Sequence, residues 1–211
     1  MVNKQFPINS ISRLRMGTDG DGIRTLILMD NCLLRCAYCL NPSTWNGTDK
    51  PMMMSAEDVY SCICIDRPYI LATNGGITFG GGEPLLYPEL INEFRRICDS
   101  DMTLYVETSL HVPWGNIEEI VDSVDRFYVD IKSMNPEVYH EYTGGDLNIT
   151  KKNLSMLIQV KGADAVVVRV PEISGFVDQK KQQDSKNLLM KMGVRRFDLF
   201  KYKVSKRNSW H

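Results

Sequence analysis

Six short β-rich runs, each followed by a stretch with helical patterning or a loop, constrain this 211-residue chain more than any other feature. The runs are IRTLILM at 23–29, GITF at 76–79, TLYV at 103–106, RFYVDI at 126–131, AVVVRV at 165–170 and a last one at 195–202. Between them the spacing predicts helices. Ser55 followed by Glu57 and Asp58 reads as a helix start for 55–66. Pro88 sits at a first helical position, and Leu90, Ile91, Phe94 and Ile97 make one apolar stripe over 88–98. Further helices are expected at 116–121, 149–160 and 178–192.

Strands alternating with helices imply a parallel sheet with helices on its faces. At roughly 30 residues or more per strand–helix–strand step, the chain holds about six units. Closing a full eight-fold barrel takes about 250 residues. The expected architecture is therefore α/β, a partial (β/α)6 TIM-like barrel of parallel strands, with residues 1–211 forming one domain. In such folds the chemistry gathers at the C-terminal ends of the strands. Those ends carry, in order, a cysteine loop at 30–41, the run Gly80-Gly81-Gly82-Glu83-Pro84, Glu107-Thr108-Ser109, Asp130 with Lys132, and Arg169. Five polar or metal-binding features at five successive strand ends converge on one mouth.

The cysteine loop is Cys32-x3-Cys36-x2-Cys39. Two readings of that spacing stand on chemistry alone. One is a zinc knuckle or an incidental cluster of cysteines. The other is an iron–sulfur cluster held by three thiolates, leaving one iron with an open coordination position, where chemistry rather than structure takes place. The remaining cysteines, Cys62, Cys64 and Cys98, are expected to be small buried hydrophobes, because each falls on or beside an apolar helical stripe. Six cysteines are too few and too clustered for a disulfide scaffold. The glycine run suits a backbone that must pass close to a small cationic group such as an amine, and it lacks the G-x-G-x-x-G dinucleotide pattern. Arg169, placed within an apolar strand, needs a partner, because an unpaired buried charge is costly.

Net charge is −1, which points away from nucleic acid as a partner. No apolar run approaches the roughly 20 residues that span a bilayer, and residues 1–10 lack the layout of a signal peptide. A cytoplasmic, monomeric protein with no membrane association is the expectation.

Taken together, Cys32-x3-Cys36-x-Tyr38-Cys39 and Gly81-Gly82-Glu83-Pro84 resemble the radical S-adenosylmethionine superfamily. Asp19-Gly20-Asp21-Gly22-Ile23-Arg24, Asn41-Pro42, Gly75 to Phe79, Glu107-Thr108-Ser109, Asp130-Ile131-Lys132, Val168 to Pro171 and Ser174-Gly175 extend the resemblance to the glycyl-radical-enzyme activating enzymes, the pyruvate formate-lyase activase group. The match covers about residues 12–203. The resemblance implies that Cys32, Cys36 and Cys39 ligate a [4Fe–4S] cluster whose fourth iron chelates S-adenosylmethionine. It implies that Gly81, Gly82 and Glu83 meet the amino group of that cofactor, that Asp130, Lys132 and Arg169 meet its ribose or carboxylate, and that Tyr38 lies near the adenine. Glu107 and Thr108 match a corner that coordinates a monovalent cation. Asp19, where the family contacts the substrate peptide, and Lys132 are the expected catalytic residues. The implied reaction abstracts hydrogen from a glycine of a partner glycyl radical enzyme under anaerobic conditions.

This chain departs from the family pattern at Leu40, where His is usual, at Leu110, where Gly is usual, and at Asp21, where Pro is usual. Residues 40–75 hold only Cys62 and Cys64, so the ferredoxin-like insert of many activases is missing and an external electron donor such as flavodoxin or ferredoxin is implied. Two other readings compete: a radical enzyme acting directly on a small molecule or ribosomal peptide, and a non-enzymatic metal or electron-carrier module. The Met52-Met53-Met54 triplet reads as adaptable packing. His111, His140 and His211 show no metal-ligand spacing. The late basic residues, Lys191 to Arg207, read as a solvated face from which Lys203 could reach the mouth.

Overall fold

Strand β2 (Ile23–Met29) is buried along nearly its whole length, as befits a strand covered on both faces. It lies at the third place of an eight-stranded sheet in a computed structural model that describes residues 4–203. The other strands are β1 (Phe6–Met16), β3 (Met52–Met54), β4 (Gly76–Gly81), β5 (Thr103–Thr108), β6 (Arg126–Asp130), β7 (Val166–Glu172) and β8 (Arg196–Lys201). Their order is β3-β1-β2-β4-β5-β6-β7-β8. From β2 to β8 every neighbouring pair is parallel, so the six expected strands form the expected parallel array. The sheet is not closed; β3 and β8 are its two edges.

Helices α2 (Ala56–Ile63), α3 (Arg67–Ala72), α4 (Pro88–Ile97), α5 (Trp114–Glu118), α6 (Pro136–Thr143), α7 (Leu147–Lys161) and α8 (Gln179–Lys191) cover the sheet, and a four-residue turn, α1 (Ser43–Asn46), follows the cysteine loop. Ile27, Ile77, Phe79, Leu104, Val106, Phe127, Val129, Val168 and Val170 make the continuous core. Phe94 of α4 meets Phe79 edge-on at 5.5 Å between ring centroids. Ser55 and Asp58 close a reciprocal cap on α2.

Two antiparallel strands extend the array beyond the sequence reading. β1 pairs with β2, and β3 pairs with β1. The sequence FPINSISRLRM mixes polar residues into both faces, with Ser12 and Arg15 turned to a cavity, and so it carries no strand period. The Met52-Met53-Met54 triplet is this edge strand β3, with Met52 and Met53 exposed rather than packed.

Cys98 is buried as expected, but Cys62 and Cys64 are exposed. The buried stripe of α2 runs through Ala56, Val59 and Ile63. That leaves Cys62 on the outer side, and Cys64 begins a 3-10 turn whose buried residue is Asp66. Asp66 is held by a bidentate ion pair from Arg13 of β1.

Below the barrel, Arg24 is fully buried. It donates to Thr78 Oγ1 at 2.7 Å, Ile77 O at 2.6 Å and Thr103 O at 2.9 Å, and its guanidinium lies 3.6 Å from the centroid of the Tyr105 ring. Burial lowers its pKa to about 10. The segment from Asp19 to Arg24 thus forms the barrel floor. Among the described residues no helix is long and apolar enough to cross a membrane.

Candidate functional site

At the end of β2, Asn31 turns the chain with φ +66° and the cysteine loop begins. The loop is fixed from outside itself. Asn31 N donates to Thr44 O at 2.7 Å, Arg35 N to Thr143 O at 2.8 Å and Ala37 N to Tyr142 O at 2.9 Å. Cys32, Cys36 and Cys39 all carry free thiols and line one cavity of about 770 Å³. Burial pushes the Cys32 thiol up to about 12 and the Cys36 thiol up to about 11. Metal binds the thiolate form, so a bound cluster would have to displace these protons and its positive iron would offset the cost of burying the thiolates. Among the described residues no three His, Cys, Asp or Glu side chains gather tightly enough for a single metal ion. Three soft thiol donors on one short loop, all lining one cavity, are a donor set that fits three corners of a [4Fe–4S] cluster.

The glycine run lies directly against this loop. Gly82 N donates to Met29 O at 3.0 Å, and Glu83 N donates to Asn31 O at 2.8 Å. A Cβ on Gly82 would lie 2.1 Å from Asn31 O. Gly81, at φ +92°, crosses Leu28 so closely that a Cβ would fall 2.8 Å from its Cα. Only glycine allows this approach. Glu83 is almost fully buried, and its carboxylate accepts from Thr108 Oγ1 at 2.7 Å, Ser109 Oγ at 2.7 Å, Ser109 N at 3.0 Å and Leu85 N at 3.3 Å. Burial raises its pKa against the pull of these donors. Glu83 therefore ties the ends of β4 and β5 together while lining the cavity.

The next three strand ends supply a charged row. Asp130 of β6 registers with Arg169 of β7, which registers with Asp198 of β8. Arg169 donates from Nε and Nη2 to the two oxygens of Asp130 at 2.9 and 3.0 Å, and from Nη1 to Glu107 at 2.8 Å. Lys132 Nζ stands 3.6 Å from Asp130 Oδ2. Burial opposes the charge on Asp130, but Arg169 and Lys132 outweigh it and hold the carboxyl below its ordinary range. At Glu107 burial wins and the pKa is raised despite Arg169. Arg169 is held protonated by its two carboxylates against the cost of burial.

Asp19 enters the cavity from the floor. Its carboxylate is gripped by Arg15 through Nε and, at 3.1 Å, through Nη2, and it accepts from Thr18 Oγ1 at 2.9 Å. Tyr38 stands edge-on to Tyr142 and Phe176 at 6.1 and 5.8 Å between centroids. The hydroxyl of Tyr202 donates to Tyr38 O.

All of the residues expected at the site, Asp19, Cys32, Cys36, Tyr38, Cys39, Gly81, Gly82, Glu83, Glu107, Thr108, Asp130, Lys132 and Arg169, line this cavity. Glu107 Oε1 accepts from Arg169 Nη1, and Thr108 Oγ1 donates to Glu83. Sequence reasoning missed the two side walls. Ser12, Arg15 and Thr18 close one side, and Asp198, Phe200 and Tyr202 close the other. The β-rich run at 195–202 reads as a strand, but neither its mixed faces nor the sequence of β1 marks which residues line the cavity. Lys203 is exposed and does not line the cavity. His140 Nδ1 is 3.2 Å from Gly145 O, and burial lowers the pKa of His111. His211, Lys206 and Arg207 lie outside the described residues.

The family model described as the Radical SAM superfamily matches residues 26–179. The chain is 35% identical over 137 residues to the pyruvate formate-lyase-activating enzyme of Clostridium pasteurianum, covering 65% of this chain and 57% of that protein. It is 28% identical over 223 residues to the 4-hydroxyphenylacetate decarboxylase activating enzyme of Clostridioides difficile (strain 630), covering 76% and 70%. The chain spans little more than half the length of the pyruvate formate-lyase-activating enzymes it matches, 57% for the first and 54% for that of Listeria monocytogenes. Among solved structures, Streptococcus suis SuiB bound to S-adenosylmethionine aligns with a TM-score of 0.66 at 13% identity, over 85% of this chain and 40% of that one. The enzyme anSMEcpe with bound AdoMet aligns with a TM-score of 0.61 at 14% identity, over 85% and 52%. These two likenesses show a shared fold.

Proposed function

Because this chain belongs to the radical S-adenosylmethionine superfamily, whose members use a [4Fe–4S] cluster and S-adenosylmethionine, we propose that it activates a glycyl radical enzyme. The observation that carries the reading is the meeting of three free thiols, a glycine strand end and a row of paired charges in one cavity of about 770 Å³. Cys32, Cys36 and Cys39 would hold the cluster, which would supply the one electron needed to cleave S-adenosylmethionine reductively and so begin hydrogen abstraction from a glycine Cα of the partner.

The protein's own share is to bind, orient and shield. Cys32, Cys36 and Cys39 hold the cluster. The backbone of Gly81 and Gly82 faces the amino group of the cofactor, with Glu83 fixing their position. Lys132 is the cation with donors to spare, since its one contact to Asp130 is long, and it receives the carboxylate. Arg169 places three of its five N–H donors, and its charge, between Asp130 and Glu107 and holds that row in place. Tyr38 walls the adenine side. Asp19, pre-set by Arg15, meets the substrate backbone, and Glu107 with Thr108 forms the corner offered to a monovalent cation. Residues 1–211 act as one radical domain with its cluster loop at 30–41, and a flavodoxin or ferredoxin supplies the electron.

The test is anaerobic reconstitution followed by reduction with dithionite in the presence of S-adenosylmethionine. Release of 5′-deoxyadenosine, and a glycyl doublet in the electron paramagnetic resonance spectrum once a candidate partner is added, are the expected results. A fully loaded protein that releases no 5′-deoxyadenosine would overturn the reading.

A further inference from the structure

The four-residue turn α1 has a local architecture far more elaborate than its length requires. Thr44 is buried and donates from Oγ1 to Asn41 O at 2.7 Å, while its carbonyl accepts Asn31 N at 2.7 Å. Gly47, at φ +72°, closes the turn in the left-handed region. These bonds pin α1 across the base of the cysteine loop and aim the one aromatic side chain it carries. The indole Nε1 of Trp45 lies 3.4 Å from Cys39 Sγ. The ring is also held from a second direction, by the Arg35 guanidinium at 5.1 Å from its centroid. Arg35 is itself tied by Nη1 to Cys32 O at 2.6 Å and Leu34 O at 2.8 Å.

An indole nitrogen can only donate, so the direction of this bond is fixed. Its acceptor is one of the three thiols assigned to the cluster. We propose that Trp45 is a tuning residue: its N–H donates to the Cys39 thiolate in the loaded protein and raises the reduction potential of the cluster. The physical reason is that reduction adds electron density to the cluster sulfurs, so a donor already aimed at one of them stabilises the reduced form more than the oxidised form. Arg35, stacked on the ring and bonded to the loop backbone, keeps the indole from turning away. The inference rests on the cluster ligation proposed above and adds a role for a side chain that does not line the cavity.

Two measurements test it. In the unaltered protein, grown with tryptophan labelled with 15N at the indole nitrogen and reconstituted anaerobically, pulsed electron paramagnetic resonance of the reduced cluster should show a 15N hyperfine coupling. In Trp45→Phe, which keeps the ring and its stacking on Arg35, the midpoint potential should shift to a more negative value at unchanged iron and sulfide content. A fully loaded, labelled protein with no 15N coupling overturns the proposal, as does a loaded Trp45→Phe whose potential is unchanged or more positive. If Trp45→Phe takes up no cluster, the labelled protein decides alone. Failure of the unaltered protein to hold a four-iron cluster would sink the cluster reading, and this proposal with it; a full cluster without the coupling sinks this proposal only.

Discussion

Ser12 and Arg15 face the same cavity although they stand three residues apart on strand β1. In a regular strand that spacing sends side chains to opposite faces. The register against β2 slips between these two positions, and Leu14 takes φ +54°. This bulge re-aims Arg15 inward while Arg13 points out to Asp66, as bulges beside functional sites do. The result is a guanidinium that grips Asp19 in the cavity floor.

Removing that grip should show in stability and in reaction with substrate. Arg15→Ala leaves the buried Asp19 carboxylate with Thr18 as its remaining side-chain donor. We expect a loss of about 1–2 kcal/mol in urea denaturation of the metal-free protein, together with a fall in glycyl radical yield larger than the fall in 5′-deoxyadenosine release. Equal falls in both would argue against Asp19 meeting the substrate.

Lys132 and Arg169 should separate cleanly. Lys132→Met removes a cation with one long contact, so folding stability should change little while S-adenosylmethionine binding to the loaded protein weakens roughly ten- to hundredfold, the worth of a charge-assisted bond of about 1.5–3 kcal/mol. Arg169→Met strands Glu107 in a poorly solvated site and leaves Asp130 with only the long contact to Lys132. That should cost about 3–5 kcal/mol of stability. Thermal melts and equilibrium dialysis of both variants check the contrast; similar melting temperatures for the two would refute it.

Gly82→Ala should uncouple the two loops. The added methyl would collide with the Asn31 carbonyl, and the bonds from Gly82 N and Glu83 N to the start of the cysteine loop would have to stretch. Iron bound per chain after reconstitution is the readout, with a severe loss expected and full loading as the contrary result.

Leu110 holds φ +55° while fully buried, in the loop position where the resembled family usually carries glycine. An L-residue there bears roughly 1–2 kcal/mol of backbone strain, which Leu offsets through burial. Both Leu110→Ala and Leu110→Gly open a cavity, but only glycine relieves the backbone. We therefore expect Leu110→Gly to retain about 1 kcal/mol more stability than Leu110→Ala, an inversion of the usual order, measurable by denaturant titration.

Most of the parallel array was legible because its signals are local. IRTLILM, AVVVRV and the Pro88 helix announce themselves by period and composition, and the strand ends follow once the strands are known. The inserted helices α3 and α6 were missed because Pro68 and Pro136 open short segments lacking a full apolar stripe. Cys62 was misread because one step around α2 separates its outer side from the buried line of Ala56, Val59 and Ile63.

The order of residues along the chain determined that cysteines, glycines and paired charges would lie at successive strand ends, since βαβ connections leave few other arrangements. It also determined which residue types were there to bind. Tertiary structure alone decided which charges partner which: that Arg169 pairs closely with both Asp130 and Glu107 while Lys132 makes a long contact to Asp130, and that Glu83 is a strut between strands. It also decided, through one bulge, that Arg15 reaches Asp19. Such pairings depend on distances of a few ångströms between segments far apart in sequence, and no local period or composition encodes them.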